Sequence, residues 1–308
     1  MDSQFFYSVI IPHYNIPHLL ERCLNSIPQR DDVQVIVVDD CSNSENGLLL
    51  KKMEEKFPNV VFLYSERNQG GGAARNMGLE KACGKYILFA DADDFFTPCF
   101  NDVLDEYKSR QFDVAFFNAC SVDAETLLPT KRASYVNKLH KLHRFFPNKA
   151  EHLLKYAFGE PWCKIVNLDF IKRNKISFEC TKIHNDTKFS YMVGFLSKKN
   201  VVDGRALYCI TERLNSVSKG QSFEKQMTRL RVFAEKNLFL KKNGVRFVDE
   251  QIYYPFVYFL QQRDEVALEK SYALLKNEYS YNLIAFSFQL RKFIVLSKLK
   301  KFIKKLFL

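Results

Sequence analysis

The stretch Lys85-Tyr86-Ile87-Leu88-Phe89-Ala90-Asp91-Ala92-Asp93-Asp94-Phe95-Phe96 decides the fold. Its apolar run, Tyr86 to Ala90, breaks off into three carboxylates, Asp91, Asp93 and Asp94. A run that short, flanked by turn signals, reads as a buried strand. Carboxylates at a strand's carboxyl end stand where open α/β sheets bind their ligands. Asp91 and Asp93 lie two apart, so at a strand mouth both can reach one hard cation. Such a cation takes oxygen ligands and leaves room for phosphate oxygens. A local reading also stands at this point: Asp93 or Asp94 caps the helix that follows Pro98.

Upstream, Tyr7 to Ile11 is a β-rich run closed by Pro12, with His13, Tyr14 and Asn15 after it. Leu19, Leu20, Cys23, Leu24 and Ile27 then recur at helical spacing. Val33 to Val38 is a second buried strand, and it too ends in acids, Asp39 and Asp40. Leu48 to Phe57 reads as helix and Val60 to Tyr64 as a third strand. A glycine-rich loop from Glu66 to Gly78 leads to the fourth strand, Tyr86 to Ala90, and Val114 to Asn118 adds a fifth. Strands alternating with helices at this spacing predict a parallel, doubly wound sheet. Burial on both faces explains the near-continuous apolar strands. Crossovers of one hand then put every strand's carboxyl end on one rim. The His13-Tyr14-Asn15 loop, Asp39-Asp40, the glycine loop and Asp91-Asp93 converge there, and four polar elements at one rim are hard to explain as four caps. The glycine loop is not Gly-x-Gly-x-x-Gly and has no Gly-Lys-Ser/Thr, so it supports neither a dinucleotide fold nor a P-loop. It reads either as a turn entering a helix or as backbone N–H groups and Arg75 beside an anion.

The 308 residues carry 46 basic and 35 acidic side chains, a net charge of +11. Residues 291–308 hold seven Lys and Arg and no acid. The eight cysteines are scattered, with no Cys-x-x-Cys, so no zinc signature is present. The amino terminus has no basic region followed by an apolar run, and no stretch reaches about 18 uninterrupted apolar residues. The expectation is a cytoplasmic protein with reduced thiols.

In the second half, Lys131 to Arg144 reads as a solvated basic face; His140 and His143 lack the nearby carboxylate a metal site needs. Glu160-Pro161-Trp162-Cys163-Lys164 carries the one tryptophan, which reads as a packing lid or as the wall of an acceptor pocket beside Lys164. Asp186 stands where the apolar spacing from Phe189 to Leu196 starts a helix; it reads as an N-cap or as a carboxylate general base. Tyr208 to Thr211 is a short strand, and Glu212 to Lys219 a polar loop rich in phosphate-type donors. Beyond Phe223 the chain reads as three helices to about Tyr281. From Val295, Leu296, Leu299, Phe302, Ile303 and Leu306 share one helical face with lysines on the other. That is a basic amphipathic helix, suited either to docking on the body or to an anionic membrane surface.

Ser8 to Asn15, Val37 to Ser42, Asn68-Gln69-Gly70 with Ala74 to Gly78, and Phe89 to Asp94 resemble, in order and spacing, the motifs of glycosyltransferase family 2. The likeness continues through Pro161 to Lys164, Asn185 to Thr187 and Arg213 to Ser218, and fades after about residue 220. The resemblance implies a Rossmann-like, doubly wound, mostly parallel sheet of the A-type glycosyltransferase fold, with a helical C-terminal extension. The domains would be 1–220, catalytic, and 221–308, helical. It implies that Pro12, Tyr14, Asn15, Asp39, Asp40, Asn68, Arg75 and Asp91 hold the nucleotide or its sugar. Asp93 would bind Mn²⁺ or Mg²⁺ on the diphosphate, and Asp186 would be the catalytic base. Trp162, Lys164, Arg213, Ser216 and Ser218 are the candidates for acceptor or diphosphate contacts. Two positions depart from the family's habit: Cys163 stands where Asn is frequent, and Asn185 where an acid is frequent, which leaves Asp186 as the base candidate of that motif.

The implied activity is inverting transfer of a hexose or N-acetylhexosamine from a nucleotide sugar, by family frequency a UDP sugar. The basic tail suggests a lipid-linked saccharide acceptor, in capsule or lipopolysaccharide assembly, and a place on the inner face of the cell membrane. Two alternatives remain at this stage: a catalytically inactive sugar-nucleotide-binding protein at the membrane, and a sugar-nucleotide nucleotidyltransferase. Nucleic acid is not expected as a partner, because the charge sits in a tail with an apolar face rather than in a basic groove with stacking aromatics.

Overall fold

A computed structural model describes residues 5–213 and 221–306, with side chains to residue 298. The chain divides into two compact units, Met1–Ser216 and Val217–Leu308.

The first unit is built on an eight-stranded sheet. Its strands are β1 (Tyr7–His13), β2 (Val33–Asp39), β3 (Val60–Tyr64), β4 (Tyr86–Phe89), β5 (Phe95–Phe96), β6 (Val114–Asp123), β7 (Lys164–Asn167) and β8 (Asn200–Glu212). Their order is β3-β2-β1-β4-β7-β6-β8-β5. The first four strands pair in parallel around β1, with Ile10 opposite both Ile36 and Phe89. β1 and β2 are buried along nearly their whole length, as a sheet covered on both faces requires. β3 is the edge and is the exception: its residues are half-buried or exposed.

The sheet is mostly parallel but not wholly so, and the expectation that every strand ends on one rim is corrected at two places. β7 is wedged antiparallel between β4 and β6, and β5 pairs antiparallel with β8. Both are short: β7 has four residues, β5 two. Runs of that length carry no readable period. β6 and β8 run parallel to each other with a register shift around Asn118. β8 is far longer than its sequence suggests, 13 residues, because Asn200 to Arg205 is half-polar and masks the strand.

Helices α1 (Pro17–Asn25), α2 (Ser44–Lys56), α3 (Gly71–Lys81), α4 (Phe100–Tyr107), α5 (Ser134–His143), α6 (Pro147–Tyr156), α7 (Leu168–Arg173) and α8 (Thr187–Leu196) complete the unit. α1 starts on Pro17, whose missing N–H costs nothing in a first turn. α3 packs on β1 without an intervening side chain: a Cβ at Gly78 would lie 2.4 Å from Ile10 Cγ2. At the opposite end of the sheet a polar knot closes the α3–β4 turn. The Ser8 hydroxyl donates to Gln34 Oε1 at 2.6 Å and accepts from the Gly84 N–H at 2.9 Å.

The second unit has its own apolar core, including Leu230, Phe233, Phe256, Phe259, Leu275 and Phe286. It comprises α9 (Phe223–Lys242), a 3-10 turn (Glu250–Tyr253), α10 (Tyr254–Gln262), α11 (Glu265–Asn277) and α12 (Leu283–Leu306). The long terminal helix begins well before Val295, so the basic tail continues a helix whose Phe286 and Leu290 are buried. Within the core, Lys236 donates to Asp249 Oδ2 at 2.6 Å, a buried pair that satisfies both charges. Among the described residues no helix is long and apolar enough to cross a membrane.

Candidate functional site

The acidic turn after β4 is held from outside. One oxygen of each carboxylate, Asp91, Asp93 and Asp94, lies within 4.8 Å of the others. Asp94 is buried, and its Oδ1 accepts from the Thr211 N–H at 2.7 Å. Thr211 Oγ1 donates to the Asp93 carbonyl at 2.6 Å, and Arg22 donates to the same carbonyl at 2.7 Å. The Asp91 N–H donates to the fully buried Tyr208 hydroxyl at 2.7 Å. Arg213 pairs with Asp93 Oδ2 at 2.5 Å. The capping reading of Asp93 and Asp94 is thereby set aside: α4 begins after Cys99 with no side-chain cap, and Asp94 turns to Thr211 of β8 and Asp93 to Arg213 just past it. Burial, with Asp93 and Asp91 alongside, pushes Asp94 well above the usual carboxylate range. Burial and Asp91 also raise Asp93, while Arg213 pulls it down.

The neighbouring strand ends are braced by carboxylates too. The Ile16 N–H donates to His13 Nε2 at 3.1 Å, which leaves the ring proton on Nδ1 to donate to Asp39 Oδ1 at 2.8 Å. Ser42 gives Asp39 two more donors, its N–H at 2.9 Å and its hydroxyl at 2.5 Å. Burial alone would raise the Asp39 pKa; the His13 and Ser42 donors outweigh it and hold the carboxyl below the usual range. Asp40 accepts from the Gln69 N–H at 2.8 Å and the Gly70 N–H at 2.6 Å, so it ties the glycine loop to β2. Gly70, with φ 88°, makes the turn that aims α3 at the rim. The Asn15 N–H donates to Ser42 Oγ at 2.8 Å, and its Oδ1 accepts from Asn43. Asp39, Asp40 and Asn15 therefore all have protein partners. Pro12 is half-buried, while Tyr14 is 48% exposed and Asn68 lies open on the glycine loop.

Arg75, on the first turns of α3, links this rim to the segment before α8. Its Nη2 donates to Asp91 Oδ1 at 2.5 Å and its Nη1 to Asn185 Oδ1 at 3.1 Å. Its Nε is buried with no partner among the described residues. The same segment is clamped to α3 by Asn76, which donates to the Phe178 carbonyl at 2.9 Å and accepts the Phe178 N–H at 2.8 Å. At Gly72 a Cβ would come 2.0 Å from the Glu179 carbonyl oxygen, so only glycine allows the approach. Asp186 occupies the N-cap position of α8, yet its side chain makes no capping bond. Burial pushes its pKa up to about 6; Arg75 opposes the rise, and Glu160 and Asp91 add to it.

The structure brings Asp91, Asp93, Arg75 and Asp186 to one place. Lys164 requires correction as an acceptor or diphosphate contact. It is 1% exposed, and its ammonium donates to the Phe158 carbonyl at 3.1 Å and to the Glu160 carbonyl, bracing the turn inside the core. Trp162 is half-buried, its ring stacked on Tyr208 at 5.8 Å and set edge-on to Phe158. Ser216 and Ser218 lie outside the described residues. Tyr208, Thr211, Arg22 and Glu160 escaped the sequence reading. They are spread over three distant segments, and Tyr208 and Thr211 lie in a continuously buried run of β8, where no alternation singles them out.

The donor set suits a hard divalent cation: Asp91 and Asp93 present oxygen ligands, and mutual repulsion in the cluster favours an added positive charge.

A family model described as "Glycosyl transferase family 2" matches residues 8–173, more than half of the chain, and the chain belongs to that family. It is 27% identical over 222 residues to the glycosyltransferase GlyA of Streptococcus pneumoniae, covering 69% of this chain and 31% of GlyA. It is 37% identical over 94 residues to the poly(ribitol-phosphate) beta-N-acetylglucosaminyltransferase TarS of Staphylococcus aureus, 29% of this chain and 16% of TarS. The chain therefore spans less than a third of either relative. The crystal structure of TarS 1–349 with UDP-GlcNAc superposes with a TM-score of 0.59 at 22% identity, over 87% of this chain and 75% of that one. A mannosyltransferase from Pyrobaculum calidifontis, solved with GDP-Man and Mn²⁺, gives 0.56 at 14% identity, over 95% and 80%. The fold is thus the A-type glycosyltransferase fold that the sequence motifs imply.

The Tyr208 hydroxyl offers a single-atom test of how the acidic turn is held. Tyr208→Phe leaves the Asp91 amide buried without its acceptor, a loss of about 1–3 kcal/mol. The expected result is a lower urea midpoint with the native circular dichroism retained. An unchanged midpoint would mean that the turn holds itself.

Proposed function

We propose that this family 2 glycosyltransferase carries a hexose or N-acetylhexosamine from a nucleotide sugar, with UDP as the nucleotide, to a saccharide acceptor, inverting the anomeric centre. The observation that carries the reading is Asp186. It stands at a helix start without capping it, and its pKa of about 6 suits a base working near neutral pH. Arg75 joins it to the acidic turn, with a buried Nε–H left for a ligand. An acceptor hydroxyl that gives its proton to Asp186 attacks the anomeric carbon opposite the departing diphosphate. One such displacement inverts the centre, which takes on oxocarbenium character as it reacts. Asp91 and Asp93 would hold Mn²⁺ or Mg²⁺, which when bound supplies Lewis-acid stabilisation of the leaving diphosphate.

On the donor side, Tyr14, Pro12 and Asn68 are the surfaces open to the base and ribose. Asp39, Asp40 and Asn15 shape the loops that present them, and contact the nucleotide with the lone pairs their protein donors leave. Arg213 is the cation placed to exchange Asp93 for the diphosphate. The exposed edge of Trp162 is the acceptor wall. The relatives' names support surface-polysaccharide assembly, in which a lipid-linked saccharide accepts the sugar. The basic end of α12 supports a peripheral place on the inner face of the membrane, since each lysine near an anionic surface contributes about 1 kcal/mol.

Asp186→Asn is expected to lower turnover about 10²–10⁴-fold while donor binding survives. A protonated Asp186 accepts nothing, so wild-type kcat/KM should fall as pH drops through about 6, and the variant should lose that limb. A variant with wild-type turnover ends the assignment. Asp93→Ala should remove the Mn²⁺ dependence of UDP-sugar binding by calorimetry; identical isotherms with and without Mn²⁺ in the wild type would sink the metal role. Removing 291–308 should lower cosedimentation with anionic vesicles, and equal cosedimentation of both forms would dismiss the tail as an anchor.

A further inference from the structure

α5 and α6 are joined by Arg144-Phe145-Phe146, and the two phenylalanines are 77% and 60% exposed. Adjacent aromatic side chains left this open keep in water an apolar area that folding normally removes. The charge leading to them is basic, and the first acid beyond them, Glu151 on α6, is engaged by Asn200 and Lys155. Residues 126–150 contain six Lys and Arg and no acid, and Lys131, Arg132, Lys138, Lys141, Arg144 and Lys149 are all exposed. On α5, Val136, Leu139 and His140 face the core. Tyr135, Lys138 and Lys141 recur at three-residue intervals on the outer side and lead to Phe145, so cations and aromatic rings share one face. Burial holds His140 down at about 4, so it adds no charge at neutral pH. Solvation accounts for the lysines of this stretch but not for the phenylalanines.

We propose that the α5–α6 turn inserts Phe145 and Phe146 into the headgroup boundary of an anionic bilayer, with Lys141, Arg144 and Lys149 on the lipid phosphates. Aromatic and cationic side chains together are what that boundary selects. A second copy of the chain is disfavoured, because a two-fold contact would set one basic patch against another. A nucleic-acid strand is disfavoured as well, since strands are bound in basic grooves and this is an exposed turn. The surface lies wholly within residues 126–150, so it depends neither on the C-terminal helix nor on the donor chemistry.

The test places a reporter in the full chain. Phe146→Trp is compared with wild type, so that Trp162 cancels in the difference spectrum. Mixed phosphatidylglycerol–phosphatidylcholine vesicles should shift the difference emission to the blue, brominated acyl chains should quench it, and pure phosphatidylcholine should do neither. Phe145→Ser with Phe146→Ser should lower vesicle partitioning about tenfold, roughly 1.4 kcal/mol, with the thermal midpoint kept. Lys141→Gln with Arg144→Gln and Lys149→Gln should remove most of the salt dependence. A water-like emission at position 146 while the chain still sediments with vesicles overturns the proposal, for the tail alone would then bind. So does a blue shift that appears without lipid as protein concentration rises, or one produced by a single-stranded oligonucleotide and not by vesicles.

Discussion

Repulsion among Asp91, Asp93 and Asp94 is the constraint on which the rim depends. Two unit charges 4.8 Å apart oppose each other by about 3 kcal/mol at an effective dielectric constant near 20. One neutral hydrogen bond returns about 1 kcal/mol. The turn therefore needs several anchors, and β8 or the residue just past it supplies most of them: Tyr208 to the Asp91 amide, Thr211 to Asp94 and to the Asp93 carbonyl, Arg213 to Asp93. Burial and that repulsion together push the Asp94 pKa well above the usual carboxylate range. The pairing of β5 with β8 brings these partners together, so two residues of edge strand hold the acidic turn in place.

Elsewhere on the rim carboxylates serve as joints. Asp39 gathers His13 and Ser42, and Asp40 gathers two amides of the glycine loop. Asp39 joins the ends of β1 and β2, and Asp40 joins the end of β2 to the loop after β3. Loops fixed in this way present exposed side chains, Tyr14 above all, from rigid backbone. That is the arrangement in which a flexible ligand loses the least freedom to a moving partner.

The first ninety residues were legible because β1, β2 and β4 are buried on both faces and polar residues, acids after β2 and β4, sit at their ends. Ile10, Ile36 and Phe89, read as strand interiors, lie in register. The second half was less legible for a physical reason. β7 offers Ile165 and Val166 as its apolar interior, and the first part of β8 reads as polar. Lys164 shows the limit of composition: a lysine beside a tryptophan looks like a ligand contact, yet enough carbonyls turn inward to hold its charge in the core. Tyr208 shows the converse, a residue of the sheet interior whose one polar atom holds the acidic turn. Nothing in its neighbours' sequence distinguishes it from a core tyrosine.

The seam between α3 and the segment ahead of α8 bears on how that segment can be exchanged between chains of this fold. Gly72 lets the Glu179 carbonyl lie against the helix, and Asn76 reads both polar groups of the Phe178 backbone. None of these contacts depends on the side chains of residues 177–181. The Phe178 ring is itself buried and stacked on Phe189 at 4.1 Å, so a graft of that segment succeeds only when it keeps this phenylalanine and travels onto a helix carrying the same glycine and asparagine. The heritable cassette is the pair, not the loop.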